Sequence, residues 1–343
     1  MELSKLLRQN IINLKPYSSA RDEYTGEALV FLDANENPFN KPYNRYPDPL
    51  QRELKLKIAA LKNTPENQLF LGNGSDEPID LLFRAFCEPG KDNIISINPT
   101  YGMYQVAADI NDIQVKEVSL DEDFHINPEN IINKSDKDTK LVFLCSPNNP
   151  TGNSLKRDSI IRVVENFEGI VVLDEAYIDF AIEKSLLPDL EKYPNLVILQ
   201  TFSKAWGMAG IRLGMAFAQP GIISVLNKIK YPYNINILTQ QKALALLNNE
   251  SKKNEWVQEL IKKRGKMEEE LAKLPFVVKV YPSDANFLLV KVHDATGIYN
   301  YLIEKKIIVR NRSKVHLCEG SLRITIGSEK ENELLVEALN NLI

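Results

Sequence analysis

The sequence predicts an α/β protein of two units: a large one with a mainly parallel central sheet and helices on both faces, and a smaller α+β one. Three observations carry this. The chain has 343 residues, more than one ordinary domain of about 150. Short β-rich apolar runs recur between helical stretches. Several of those runs lack in/out alternation, as strands covered on both faces do.

Taken in order, the N-terminal MELSKLLRQNIINL sets Leu3, Leu6, Leu7 and Ile11 at helical spacing and predicts an amphipathic helix. This helix and the arm behind it, residues 1–35, are expected to join the small unit. The large unit is expected over 36–236. It opens with a proline-marked turn, YNRYPDP, and a helix with Leu50, Leu54 and Ile58 on one face. Its clearest strands are 68–71, 93–97, 140–145, 170–173 and 196–200. After about Asn236 the pattern changes. A long charged helix near 254–273 precedes strands near 277–281, 286–292 and 321–326, with a helix between and one at the C-terminus, which places the small unit at 237–343.

Composition narrows the partners. Hydrophobic residues at 44% and charged residues at 26% are a globular balance, not that of a disordered chain. Forty-two Lys and Arg against 46 Asp and Glu leave a formal charge of −4, without the basic excess that phosphate neutralisation on nucleic acid requires. The longest apolar runs, LVFLC at 141–145 and ALALL at 243–247, are far short of the roughly 20 residues of a membrane span. Acidic Glu2 and the interrupted apolar pattern do not suit a secretory signal, so a cytoplasmic protein is expected. Cys87, Cys145 and Cys318 are odd in number and lack a CxxC spacing; the three histidines form no HExxH. Neither a disulfide framework nor a metal centre is expected, and no P-loop is present.

The loops that leave the strands of the first unit carry the chemistry. LFLG leads into NGSDEP, ISIN into PTYGMY, VFLC into SPNNPTG, VVLD into EAYIDF, and VILQ into TFSKAWGMAGIR. Ligands of open parallel sheets bind beyond the carboxyl ends of the strands, so these loops can share one cleft. NGSDEP, with Pro78 suited to a first helical turn, has free backbone N–H groups for a phosphate, or is a plain capped helix. Lys204 can bond a cofactor aldehyde, with Thr201, Ser203 and Arg212 near enough in sequence to hold a phosphate, or is an ordinary loop lysine. Asp174 ends a strand expected to be buried; it either caps a turn or holds a pyridinium nitrogen protonated. Tyr177 and Asn149 can donate to a phenolic oxygen, although turn-making alone accounts for Asn149.

Together, in this order and each after a strand, these loops resemble the fold type I pyridoxal-phosphate aminotransferases over nearly the whole chain. The resemblance implies a pyridoxal 5'-phosphate cofactor bonded to Lys204, with Asp174 paired to its ring nitrogen, Tyr177 and Asn149 on its phenolic oxygen and Tyr101 stacked on its ring. It implies that Ser75 and Asp76 backbone groups, Thr201, Ser203 and Arg212 hold the phosphate, and that Tyr46 reaches it from the neighbouring subunit of a homodimer with shared sites. KPYSSAR, LDANENPF, NGSDEPIDLLFRAFCEPGKD, NPTYGMY, PYNINILTQ, IIVRNR and LRITIG are similar to the histidinol-phosphate aminotransferase family. That narrower resemblance implies histidinol phosphate, glutamate and 2-oxoglutarate as substrates. Their anionic group would meet Arg310 and Arg323, with Tyr17, Asn35 and Asn149 close by.

The alternatives are an aromatic amino-acid aminotransferase or a threonine-phosphate decarboxylase of the same fold, which differ only in the substrate loops. Less favoured are a non-catalytic pyridoxal-phosphate binding module and a cofactor-free sugar- or nucleotide-binding α/β protein. For Arg310 a surface salt bridge is the competing assignment, with Arg312 two residues away; for Tyr46 it is packing on its own subunit.

Overall fold

The computed structural model describes residues 2–18, 20–24 and 29–342. In chain order its first elements are α1 (Gln9–Asn13), α2 (Ala20–Glu23), α3 (Arg52–Lys62), β1 (Leu69–Asn73), α4 (Asp76–Phe86), β2 (Asn93–Asn98) and α5 (Met103–Ile110). Next come β3 (Gln114–Ser119), α6 (Pro128–Lys134), β4 (Thr139–Cys145), α7 (Arg157–Asn166), β5 (Ile170–Asp174), β6 (Leu196–Thr201), β7 (Leu213–Phe217) and α8 (Pro220–Ile229). The last are α9 (Ile237–Leu246), α10 (Glu250–Leu271), β8 (Val277–Val280), β9 (Phe287–Val292), α11 (Ala295–Glu304), β10 (Arg310–Asn311), β11 (Ser321–Thr325) and α12 (Glu329–Asn340).

The large sheet has seven strands in the order β1-β7-β6-β5-β4-β2-β3. Strands β2 to β6 pair in parallel, and β7 runs antiparallel to both β1 and β6, so six strands point one way. Side chains alternate between two apolar layers. Leu141 and Phe143 of β4 join α4, α5 and α8 on one face, while Val142 and Leu144 join α3 and α7 on the other. Each fully buried aliphatic or aromatic side chain contributes about 1.5–3 kcal/mol, which is why these strands carry no polar stripe. The edge strand β3, QVKEVS, does carry one, with Val118 its single buried residue. That polarity hides it in the sequence.

The small sheet is antiparallel, in the order β10-β11-β9-β8. Leu288, Val290, Leu322 and Ile324 pack under α10, α11 and α12, whose buried residues include Leu271, Leu302 and Leu339. The opposite face of β9 turns toward the large unit: Phe287 and Leu289 lie in the same apolar cluster as Tyr177 and Phe180. A reciprocal capping box between Ser328 and Glu331 starts α12.

The N-terminal segment departs from expectation in two ways. A single 3-10 turn, Leu3–Lys5, and then α1 replace the one amphipathic helix, because Arg8 is extended and its N–H donates to the Ala85 carbonyl at 3.0 Å. Leu3, Leu6, Leu7 and Ile11 do form an apolar face, but it packs in the α4 and α8 layer of the large unit and not on the small one. Lys228 Nζ fastens it by donating to the Ile11 carbonyl at 2.6 Å. Among the described residues no helix is long and apolar enough to cross a membrane, and no group of side chains is arranged to hold a metal.

The junction that positions the first loop is glycine-dependent. Gly74 has φ +70°, and its N–H donates to the Arg212 carbonyl at 2.9 Å. A Cβ at Gly214 would lie 2.3 Å from Gly74 C and Ser75 N, backbone atoms that cannot yield. Gly214→Ala is therefore expected to cost about 1–3 kcal/mol in urea unfolding. An unchanged unfolding midpoint would show that the two backbones are not held this close.

Candidate active site

Five loops reach one cavity of about 490 Å³ beyond the carboxyl ends of the parallel strands. Strand β1 delivers Gly74, Ser75 and Asp76; β2 delivers Tyr101; β4, Asn149; β5, Asp174 and Tyr177; and β6, Thr201, Ser203 and Lys204. Arg212 enters just before β7, and the small sheet closes the wall with Arg310, Arg312 and Arg323. Twelve of the fifteen residues anticipated from the sequence line this one space.

Asp174 is 2% exposed. Its Oδ2 accepts from Tyr104 Oη at 2.7 Å and its Oδ1 from the Ala176 N–H at 3.0 Å. Burial raises its pKa against these two donors, and among the described residues it makes no ion pair. Such a carboxylate is short of a cation. A protonated ring nitrogen supplies one, so the acid fits the pyridoxal phosphate that the sequence implies.

Lys204 sits in a loop pinned on both sides by buried aromatics, Phe202 and Trp206, which meet edge-to-face with centroids 5.6 Å apart. Its Nζ lies 5.3 Å from the centre of the Tyr177 ring. Burial first, and the positive Arg323 second, lower its pKa. Both favour the unprotonated amine that attack on an aldehyde requires.

The phosphate side of the cavity is built on the Gly74 turn. Arg212 is left-handed at φ +55°, a strained place for an arginine, and its guanidinium stands 3.7 Å from Asp76. A Cβ on Gly74 would meet Arg212 Nη2 at 2.7 Å, so glycine keeps this corner open. The N-terminus of α4, Thr201 and Ser203 border the same corner. Tyr101 donates its hydroxyl to Asp76 Oδ1 at 3.2 Å and stands edge-on to Tyr104.

On the opposite wall, Arg323 Nη1 donates to Asn149 Oδ1, and its guanidinium lies 5.3 Å over the ring of Phe287. The cavity thus holds five cationic side chains, Lys204, Arg212, Arg310, Arg312 and Arg323, against two carboxylates, Asp76 and Asp174. An anionic ligand is what this imbalance suits.

Three anticipated residues do not come to the cavity of their own chain. Tyr17 is 70% exposed, Asn35 is exposed, and Tyr46 stacks on Tyr233 with centroids 4.4 Å apart. The arm is held elsewhere by Glu36, which accepts from Arg21, Arg45 and the Tyr46 N–H at 2.6–2.7 Å. A separate cavity of about 770 Å³ lies under that arm, lined by Arg21, Phe31, Arg45 and Tyr46. Tyr104 escapes sequence reading; it comes three positions after Tyr101, one helical turn, and that spacing is the available signal. Arg312, noted in the sequence beside Arg310, lines the cavity together with it, two positions on, the period of a strand.

The Asp174 setting has a pH signature. A raised folded pKa means that this proton contributes stability fully below the unfolded value of about 3.9, and that the contribution is lost as pH rises through the folded value. Without added ligand, Asp174→Asn should flatten part of the fall in unfolding free energy above pH 4. Tyr104→Phe should destabilise by about 1–3 kcal/mol at neutral pH, where the carboxylate loses a donor. Parallel pH profiles for wild type and Asp174→Asn would show that the group does not titrate there.

The family model of aminotransferase class I and II matches residues 24–339. A histidinol-phosphate aminotransferase of Parabacteroides distasonis is 59% identical over 341 residues, covering 99% of each chain. The crystal structure of the histidinol-phosphate aminotransferase from Clostridium acetobutylicum superposes with a TM-score of 0.81 at 28% identity, covering 88% of this chain and 91% of that one. An L-threonine-O-3-phosphate decarboxylase from Porphyromonas gingivalis shares the fold with a TM-score of 0.74 at 24% identity, covering 88% of this chain and 91% of its own.

Proposed function

Because the chain belongs to the class I and II aminotransferase family, we infer that it is a pyridoxal-phosphate-dependent transaminase that moves an amino group between glutamate and imidazole acetol phosphate. The products are 2-oxoglutarate and histidinol phosphate, as in histidine biosynthesis. The observation that carries this reading is 59% identity over 99% of both chains. Beside it stands a cavity in which a buried acid, a lysine of lowered pKa and four arginines meet.

Each residue has a task in that reaction. The cofactor supplies an aldehyde for the substrate amine and a protonated ring that accepts the electrons of the broken Cα–H bond. Lys204 Nζ would take the proton from the substrate Cα as general base and, once protonated, would serve as the general acid that returns it. Asp174 would keep the ring nitrogen protonated; Tyr104 and the Ala176 amide hold its carboxylate in place. Tyr177, Asn149 and Tyr101 line the same cavity and would hold the ring, the first two as donors to its phenolic oxygen. Arg212, Thr201, Ser203 and the Ser75 and Asp76 amides would hold the phosphate. Arg310 and Arg323 receive the anionic end of either substrate, which a guanidinium fork does bidentately. Two substrates take turns, so the kinetics are ping-pong.

The arm belongs to this reading through a homodimer. Tyr46, half-exposed and outside its own cavity, is assigned to the cofactor phosphate of a second copy; Tyr17 and Asn35, on the same arm, are carried with it. A cytoplasmic location fits three free, buried cysteines.

Assays of the pure protein with glutamate against imidazole acetol phosphate, aromatic 2-oxo acids and threonine phosphate separate the possible activities. The expected result is turnover dominated by imidazole acetol phosphate; a preference for an aromatic acid, or release of carbon dioxide from threonine phosphate, would overturn it. For the shared site, the inactive variants Tyr46→Ala and Lys204→Ala should regain activity when mixed and allowed to exchange subunits. One site of each heterodimer then has both residues intact. Heterodimers that form and stay inactive would place Tyr46 in its own subunit's service.

A further inference from the structure

The tasks above leave Arg312 without one. Residue 310 pairs with residue 323 in register, and the Arg312 N–H continues the ladder by donating to the Ser321 carbonyl at 2.8 Å. Alternation along an extended strand therefore puts the Arg310 and Arg312 side chains on one face, beside Arg323, and all three line the cavity. Among the described residues none of the three makes an ion pair. Arg323 has Asn149 and the face of Phe287; the Arg312 Nε is buried and has no acceptor among the described residues. Burial, then Arg323 and Arg310, push the Arg312 guanidinium down to about 10.

A buried donor without a partner, set between two like charges, weakens the fold unless an acceptor arrives with a ligand. The two substrates of the reaction differ in what they bring. Glutamate carries two carboxylates, but each is a group of one charge and two oxygens, and the one that meets this wall is within reach of the forks of Arg310 and Arg323. A phosphate monoester has nearly two charges at neutral pH, a second pKa of about 6, and three terminal oxygens. A third guanidinium matches the third oxygen and the second charge.

We propose that Arg312 is a specificity-determining residue that reads the second negative charge of the phosphate monoester and so separates that substrate from the carboxylate that shares the cavity. This rests on the reading under Proposed function. Arg310 and Arg323 are common to both half-reactions; Arg312 serves one.

The test uses the cofactor-loaded enzyme and two non-reacting probes, propyl phosphate and the monocarboxylate butyrate, with dissociation constants measured by titration calorimetry between pH 5 and 8. Arg312→Gln should weaken propyl phosphate by about ten- to a hundredfold, the range of a charge-assisted hydrogen bond, while butyrate changes by less than about threefold. The variant should also lose most of the rise in phosphate affinity that wild type shows between pH 5.5 and 7.5. Arg312→Lys, which keeps the charge and loses the fork, should recover part of both and serves as the readout should the glutamine variant not retain cofactor. Equal weakening of the two probes would reduce Arg312 to a general positive field, and no change in either would leave it idle; each result overturns the proposal. Wild type that fails to aminate imidazole acetol phosphate sinks the functional reading instead. Normal turnover with unaltered probe binding in the variants sinks only the role of Arg312.

Discussion

Co-directional strands are the constraint on which the site depends. Residues 74 to 76, 101, 149, 174 to 177 and 201 to 204 are spread over about 130 positions of chain, and they meet because six strands of one sheet end on the same edge. The single reversed strand strengthens the arrangement. Strand β7 begins where its neighbours end, so Arg212 arrives at that edge from the opposite direction, and Gly214 lets the Gly74 turn settle against its backbone. The phosphate corner is thus fixed by backbone packing between two strands rather than by side chains. A rigid sheet buried on both faces gives loops a foundation that their own contacts do not supply.

Apart from the Arg212 and Asp76 pair, the cavity leaves its charges unsatisfied among the described residues. Asp174 lies deep at the end of β5, hydrogen-bonded but without a cation among the described residues. The arginines stand on the small-sheet wall without an anion among those residues, and Lys204 lies between the two. Each group carries a desolvation cost that a ligand of the right sign relieves, which is how a protein stores selectivity for a zwitterionic cofactor and an anionic substrate at once. Asn149 joins the two halves: its amide belongs to the β4 loop, and its carbonyl oxygen accepts from Arg323 across the cleft.

Much of this is legible in the sequence, and the reasons differ by element. Parallel strands covered on both faces are apolar throughout, so β4, β5 and β6 announce themselves, and the loops after them carry the chemistry in plain order. Edge strand β3 is half polar and reads as a loop. Strand β7 reads as a continuation of the lysine motif because LGMAF comes after it without a turn signal. The N-terminal apolar face is evident, but periodicity says only that a face is buried, never against what; α4 and α8 are the partners. Tyr104 reads as core because it is core: no accessible surface remains on it, and only its hydroxyl reaches Asp174. The arm residues Tyr17, Asn35 and Tyr46 are reached through resemblance alone, and a single chain gives them no place in its own cavity.

The inner face of the small sheet has a mechanical consequence. Phe287 and Leu289 share one apolar cluster with Tyr177 and Phe180, and the Tyr177 ring meets Phe287 edge-on with centroids 5.2 Å apart. Swinging the two units apart like a hinge would wet that cluster and lose its transfer free energy at each opening. Sliding β9 along it would not. Admission and release of substrates is therefore suited to shear, a small translation of packed surfaces that keeps the interface dry while carrying the Arg323 wall toward or away from Lys204.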